Sequence, residues 1–558
     1  MKTLAVCNFA DLNDGQMRVF RLICSMKELD FGGEGGKVVV YRLGENIHAT
    51  SAFCTHYGAN LAKGVLTTDG RVLSACFNVC TGDIEDAPAP SAIHSFKTSI
   101  KDGNIYVTAD PSRTTKGNMT RAPKLLATSA GESAKKGVVI IGGGSATFHA
   151  IESLREHRYP ENITVLSKET YPPIDRTKLS KALITDPSKI EWRTAADLKI
   201  KYGTTLRIGV TVTSIDTAAK QVVLDGGKES IPYDKLILAP GGTPRRLPVE
   251  GAELENVYTF RGIEDSKKVD AAAREGQRMV VIGSSFISME LVIAVSKRKL
   301  ASIDVIGLEE YPFEAVLGKE IGKGLKKYHE SLGVKFHMQS NVEKIIASDN
   351  DSKLASGVAV NGEVIPADFV VMGVGVMPAT DFLKQSGFEL EDDGGIKVDQ
   401  FLRVKGHEDV YAVGDIAWYP QPKTGESRRI EHWNVAANHG RTVGATIAGE
   451  PQAFTKAPIF WSAQGQQLRY CGLGADFDDV IIKGNPGEMK CCRGGKVCVF
   501  IFMFSDVEST RLVISSISKA SELLRLGMMP SPDKLKEGMN ILDIDISSEK
   551  ARFRPESS

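Results

Sequence analysis

The sequence predicts a multidomain fold: an all-β domain at the N-terminus, two α/β domains built on parallel sheets, and a C-terminal α+β domain. Three observations carry this. At ~150 residues per domain, a chain of 558 residues divides into roughly three to four units. Short apolar segments punctuated by glycine turns fill residues 1–110, and from Gly137 the texture changes to apolar strands alternating with helical patterns. A strand running into a glycine or serine turn and then a helix occurs twice, starting at Val138 and at Met279.

The elements follow in order. In 1–110 the alternating segments predict strands at 17–23, 37–43, 46–53, 95–100 and 104–108, with turns at Gly32-Gly33, Gly35-Gly36, Asp69-Gly70 and Asp102-Gly103. Residues 111–136 are rich in Ser, Thr, Lys and Ala without apolar periodicity, which predicts a linker. The α/β pattern spans 137–262, 263–387 and 388–450. The final stretch, 451–558, predicts strands at 479–482, 497–504 and 511–516 and a helix over 519–526.

Composition bounds the function. Lys+Arg and Asp+Glu both number 69, a balance that argues against a dedicated nucleic-acid binder. No run approaches the ~18 apolar residues of a membrane span, and Asp11 and Asp14 interrupt any secretory signal pattern. Nine scattered cysteines do not make a disulfide framework. The expectation is a soluble, cytoplasmic protein whose oligomeric state is open, a homodimer included.

Two turns carry the chemistry. Val138–Ile141 runs straight into Gly142-Gly143-Gly144 and a helix; Gly142 permits a tight turn, and Gly144 lets the backbone approach a pyrophosphate at the helix N-terminus. Thr147 takes the third small position. About 20 residues further on, Glu169 ends a second strand with an acid suited to ribose hydroxyls. Dinucleotide binding follows. The second turn, Gly283-Ser-Ser285-Phe286-Ile-Ser288-Met-Glu290, has serines at the second and third glycine positions. Gly307 stands where its ribose acid is expected, with Glu309 two residues on. No Arg or Lys lies in 308–311 to grip a 2′-phosphate, so NADH is favoured over NADPH. A further strand ends in Gly414-Asp415. No Cys-x-x-Cys pair lies near the first turn or near Gly414, so a redox dithiol is missing, and Cys491-Cys492 reads as structural or surface residues.

These elements in this order resemble the two-dinucleotide-domain flavoprotein reductases. Tyr171-Pro-Pro-Ile-Asp-Arg176-Thr-Lys-Leu-Ser-Lys181 is similar to the P-Y-D-R-x-x-L-S-K signature of ferredoxin-reductase-like and apoptosis-inducing-factor-like enzymes. Tyr233 to Gly242 resembles their A-T-G closure, with Pro240 for Thr. Gly283 to Glu290, Glu431-His432-Trp433 and Phe460-Trp461-Ser-Ala-Gln-Gly465 resemble the factor-3-like branch, which begins with a Rieske-type domain. The resemblance implies an FAD-dependent NAD(P)H oxidoreductase, with hydride passing from nicotinamide to flavin. Gly142, Gly144, Glu169, Arg176, Lys181, Asp415 and Trp433 would hold FAD. Gly283, Phe286, Glu290 and Glu309 would hold NAD. Lys181, Glu290, His432 and Trp433 would stand at the reacting rings, with Glu431 beside them and Phe286 as an aromatic gate. The acceptor stays open between quinone, dioxygen, a ferredoxin and a specialised metabolite. An interaction protein that senses redox state with slow turnover is the alternative.

The expected [2Fe–2S] module is damaged. A Rieske centre needs two cysteines and two histidines, one of each per loop. Cys54-Thr-His56 supplies the first loop, but relatives read approximately C-P-W-H-G-A-C-F-N in the second, where this chain has only Ser74-Ala75-Cys76-Phe77-Asn78. Cys54 and His56 therefore remain as a remnant pair insufficient to hold a cluster. Cys76 and Cys80 could complete a three-thiolate, one-histidine set, which is the less favoured reading.

Overall fold

The computed structural model describes residues 1–21, 36–67, 69–73, 76–123, 136–422, 424–465, 467–472, 479–484, 499–504, 511–513, 517–544 and 546. The Gly32-Gly33 turn, Ser74 and Cys491-Cys492 lie outside them.

The N-terminal domain is a six-stranded antiparallel sheet in the spatial order Lys2–Asn8, Asn104–Ala109, Ser95–Lys101, Asn46–Ser51, Lys37–Leu43, Met17–Arg21. Side chains alternate across a strand, so one face of Lys37–Leu43 buries Val38 and Val40 with Ile105 and Val107, and the other buries Val39 and Tyr41 with Phe53 and Phe77. Burial on both faces is why this strand reads as an unbroken apolar run. A small sheet of Val65–Leu66, Arg71–Leu73 and Phe77–Asn78 covers the second face.

Of the predicted linker 111–136, residues 124–135 lie outside the described residues, and the stretch before them is structured. Pro111–Thr114 and Lys116–Asn118 form 3-10 turns, and Thr120–Arg121 pairs antiparallel with Ala92–Ile93. Asp110 caps the first turn by accepting from the Ser112 amide, and Thr114 and Met119 are buried. Capping and two buried side chains explain order that apolar periodicity alone misses.

The first α/β domain has a five-stranded parallel sheet in the order Thr204–Ile208, Ile163–Ser167, Val138–Ile141, Lys235–Leu238, Val410–Ala412. Its last strand arrives after the second α/β domain, whose parallel sheet runs Val257–Thr259, Phe369–Met372, Arg278–Ile282, Ser302–Ile306, Val334–His337. Gly242–Pro244 pairs antiparallel with Val376–Pro378 where the chain leaves and re-enters the first domain. The central helices Ser145–Glu156 and Trp433–Ile447 pack very closely: a Cβ on Gly440 would stand 2.1 Å from the Ala146 carbonyl oxygen. Only glycine allows this crossing, and it fixes the start of the second helix, at Trp433, beside the first glycine turn.

The C-terminal domain is an antiparallel sheet in the order Ile459–Ala463, Gln467–Cys471, Arg511–Val513, Val499–Phe504, Asp479–Gly484, with a helix over Ile517–Arg525. The helix and the strand centres match expectation; the predicted strand 497–504 is described from Val499 and that at 511–516 to Val513. The strand Ile459–Ala463 reaches back to the α/β domains. Among the described residues no helix is long and apolar enough to cross a membrane.

Candidate active site

The carboxyl ends of the first parallel sheet define a cleft. Gly142 ends the central strand with φ +111°, and a Cβ there would stand 2.0 Å from the Ala239 carbonyl oxygen. Gly144 is the N-cap of Ser145–Glu156, and nothing lies within 4 Å of where its Cβ would be. The helix thus opens its N–H groups onto a cradle that any larger residue would fill. Thr147, the departure from the usual small residue, is accommodated because its hydroxyl donates to the Gly142 carbonyl at 2.8 Å.

Glu169 stands beyond the neighbouring strand. Its carboxylate accepts from Arg176 Nη2 at 2.7 and 2.8 Å and from the Tyr171 hydroxyl at 2.9 Å. Burial works against the Arg176 charge, but Glu169 more than offsets it and holds the guanidinium pKa above its ordinary value. Asp415 lies on the far side. Arg261, which no sequence motif singled out, donates to Asp415 Oδ2 at 2.6 Å, and Arg429 donates to the Asp415 carbonyl at 2.9 Å. Gly414 donates its N–H to His439 Nδ1 at 3.1 Å. That bond requires a bare Nδ1, and burial lowers the His439 pKa to about 3, so the imidazole stays neutral and pins the Gly-Asp turn.

Where the cleft meets the second α/β domain, Lys181 and Glu290 form an ion pair at 3.0 Å. Glu290 is buried, and its Oε2 also accepts from Ser180 Oγ at 2.5 Å. Its Oε1 accepts from Ser462 Oγ at 2.7 Å and from the Ala463 amide at 3.1 Å. Two donors from the first α/β domain and two from the C-terminal domain therefore converge on one carboxylate of the second α/β domain. Ser180 and Ser462 had no assigned role in the sequence reading, although both lie inside the quoted motifs.

Aromatic rings surround this point. Phe286 lies 4.8 Å from Phe460 and 5.0 Å from Phe313, and Phe460 lies 4.8 Å from His432. Burial pushes His432 down to about 4, partly opposed by Asp415, and its Nδ1 has no protein partner. Trp433 follows, 6.0 Å from Trp192 and 5.7 Å from His149, and its indole N–H likewise has no protein partner. Glu431 is held by Arg429 at 2.5 Å.

The second turn is built like the first. Gly283 has φ +101°, and a Cβ there would stand 2.4 Å from the Gly373 carbonyl oxygen. Ser288 is buried against Gly373, where a side chain would collide with its hydroxyl; a glycine just past the strand Phe369–Met372 thus compensates for a serine on the helix. Glu309 is exposed at the mouth of the turn, 3.4 Å from Ser284 Oγ.

The open cradle at Gly144, the neighbouring Arg176 and the unpartnered nitrogens of His432 and Trp433 fit FAD. The expected remnant metal pair, Cys54 and His56, is one half of a Rieske ligand set. Cys54 Sγ accepts from the His56 amide at 3.4 Å, and burial pushes the thiol up to about 11, the protonated form. The His56 ring packs 5.5 Å from Trp461 and 6.4 Å from Trp192. Cys76 is buried near Arg71 and Asp86, whereas Cys80 is exposed and 3.6 Å from His48. Among the described residues no three His, Cys, Asp or Glu side chains converge as metal donors.

Comparison with known proteins agrees with this architecture. The Pyridine nucleotide-disulphide oxidoreductase family matches residues 136–440, and the Rieske [2Fe-2S] domain matches residues 2–97. Apoptosis-inducing factor 3 of Homo sapiens is 35% identical over 537 residues, covering 94% of this chain and 84% of that protein. Rhodocoxin reductase of Rhodococcus erythropolis is 32% identical, covering 75% of this chain and 95% of that protein. A solved ferredoxin reductase for the CYP199A2 system from Rhodopseudomonas palustris superposes with a TM-score of 0.66 at 28% identity, covering 72% of this chain and 97% of its own. With the glycine cradle, the second nucleotide turn and the Rieske-type sheet in one polypeptide, this chain belongs to the pyridine nucleotide-disulphide oxidoreductase family, as an FAD-dependent NAD(P)H oxidoreductase of its apoptosis-inducing-factor-3-like branch.

Proposed function

We propose that the chain oxidises NADH at the junction of its two α/β domains and passes the electrons to a separate acceptor. The observation that carries this is the Glu290 carboxylate, bound by Lys181, Ser180, Ser462 and the Ala463 amide where the FAD cleft meets the second nucleotide turn. FAD, when bound, supplies the group that takes the hydride and stores two electrons. The helix N-terminus behind Gly142 and Gly144 would receive the pyrophosphate, Glu169 the ribose hydroxyls and Asp415 the ribityl chain. Arg176 supplies a fixed cation beside them, and His432 and Trp433 flank the ring system. Gly283 would receive the nicotinamide dinucleotide, and Glu309 its adenosine ribose, where a second negative charge disfavours a 2′-phosphate. Lys181 and Glu290 orient the nicotinamide amide, and Phe286 closes over the ring. Rings held this way react as a positioned pair, the main contribution a protein makes to hydride transfer.

Anaerobic addition of NADH to the purified yellow protein tests this. Loss of flavin absorbance within the first equivalents, more slowly with NADPH, is the expected result. A flavin that neither nucleotide bleaches would overturn the proposal.

A further inference from the structure

In the loop that would carry the first pair of cluster ligands, Tyr57 and Ala59 are exposed, but Cys54 is buried and the His56 ring is turned inward. His56 packs against Trp461 of the C-terminal domain and Trp192 of the FAD domain, and Trp192 in turn touches Trp433. Its neighbour Tyr57 lies beneath Lys178, 5.7 Å from the ring, and near Asp175, one residue before Arg176. The N-terminal domain therefore covers the Trp192–Trp461 side of the proposed flavin site.

The docking is built to stay. Asn434 and Asn438, one turn apart on the helix that begins at Trp433, bond the carbonyl and amide of Ala87 at 3.3 and 2.8 Å. Arg441, one turn further, donates to the Ile84 carbonyl at 2.5 Å, and Arg193 donates to the Pro90 carbonyl at 2.8 Å. Lys456 pairs with Asp86 at 2.7 Å, and Arg71 with Glu522 of the C-terminal helix at 3.2 Å. These groups are largely withdrawn from water, so separating the domains would leave buried donors and charges unpartnered until hydrated.

We propose that the N-terminal domain is a fixed cap that closes this face to protein acceptors, so that electrons leave to small planar quinones entering on the nicotinamide side, past Phe286. The inference rests on the function proposed above. Tunnelling falls steeply with distance, so a protein acceptor must bring its redox centre against the flavin's exposed edge, and the cap occupies that position on the Trp192–Trp461 side. The opposite approach is more open: Ser285 is exposed and Phe286 half-buried. The reaction balances as NADH plus quinone plus one proton giving NAD⁺ and hydroquinone; hydride leaves the nicotinamide, and the second proton comes from solvent. Because nucleotide and quinone share one entrance, turnover is ping-pong and NAD⁺ competes with the quinone.

The experiment compares the holoenzyme with the double variant Lys456→Glu/Glu522→Arg, which places like charges opposite Asp86 and Arg71, and with Tyr57→Ala, whose side chain is 58% exposed. A short-chain benzoquinone and cytochrome c are the two acceptors, and limited proteolysis reports release of the cap. The wild type is expected to turn over the quinone and to leave cytochrome c nearly untouched. Either variant should raise cytochrome c reduction by about an order of magnitude or more, because access sets the association rate, with quinone turnover unchanged. Wild-type protein that reduces cytochrome c as fast as quinone overturns the cap. So does a proteolytically released variant that gains no cytochrome c activity. Both results presuppose that NADH bleaches the wild-type flavin; if it does not, the underlying function fails rather than the cap alone.

Discussion

Glu290→Gln probes the point where three domains meet. The carboxylate accepts two bonds per oxygen, and an amide replaces one oxygen by an NH₂ that faces donors. Hydrogen bonds to a charged group are worth about 1.5–3 kcal/mol each, and breaking a buried pair costs about 3–5 kcal/mol. The Lys181 side chain keeps 22% exposure and a bond to the Thr177 carbonyl at 3.0 Å, so its stranded charge is partly hydrated. The low end applies, about 3 kcal/mol. At roughly 2–4 °C per kcal/mol, the melting temperature should fall by about 6–12 °C. A double-mutant cycle with Lys181→Met, read by thermal unfolding through flavin fluorescence, should give a coupling of about 1–3 kcal/mol. Stopped-flow flavin reduction by NADH should slow by up to about 100-fold in either single variant, the sensitivity of positioned reactions to small misplacements. A coupling near zero with an unchanged reduction rate would refute the role given to this pair.

Gly144→Val should leave folding intact, since nothing lies within 4 Å of the new Cβ, while FAD binding weakens sharply; equilibrium dialysis checks this. Gly307→Glu should sharpen the preference for NADH, with Met338, whose Cε would lie 2.7 Å from the new Cβ, swinging aside; reduction rates with both nucleotides decide it. Burial holds His56, His329 and His432 at about 4 and His439 at about 3, below their unfolded value near 6.5. The unfolded chain therefore binds more protons between those limits, and each such histidine removes on the order of 1.4 kcal/mol of stability per unit as pH falls through that window. Glu152, raised by burial to about 7, and Glu191 and Glu431, also raised by burial, work the other way, but His48, His94 and His149 are lowered by burial as well, so denaturation at pH 5 should need clearly less urea than at pH 7. Iron and acid-labile sulfide after anaerobic reconstitution should stay far below two atoms per chain, the content of a [2Fe–2S] centre.

The parts of this site written in one stretch of chain were legible. Gly142, Gly144 and Glu169 follow from strand, turn and helix in sequence, and Lys181 with Glu290 from two motifs of the resembled family. What escaped was long-range. Arg261 meets Asp415 across 154 positions, and Ser462 meets Glu290 across 172. Neither pairing leaves a periodic mark. The order in 111–121 was missed because two buried residues, Thr114 and Met119, and a capping Asp110 hold it, rather than a repeating apolar face. The serine at 288 looked like damage because its compensation, Gly373, lies 85 positions away, just past the strand Phe369–Met372.

The same separation makes the docking of the N-terminal domain independent of its cluster ligands. Docking uses the backbone of Ile84, Ala87 and Pro90 and the side chains of Arg71 and Asp86. Ligation in a Rieske centre uses four side chains at the tips of two loops. A backbone carbonyl or amide is present whatever residue carries it, so changes in the second loop leave these bonds intact. Of the first loop, His56 and Tyr57 remain useful as ring surface against Trp192, Trp461 and Lys178. Replacing His56 by Phe should therefore preserve docking, because it keeps a ring where the imidazole is already neutral at a pKa of about 4, whereas Asp should weaken it by burying a charge near Asp175. Protease resistance of the 111–136 segment reads the difference. Equal resistance of the Phe and Asp variants would show that His56 contributes nothing to the interface.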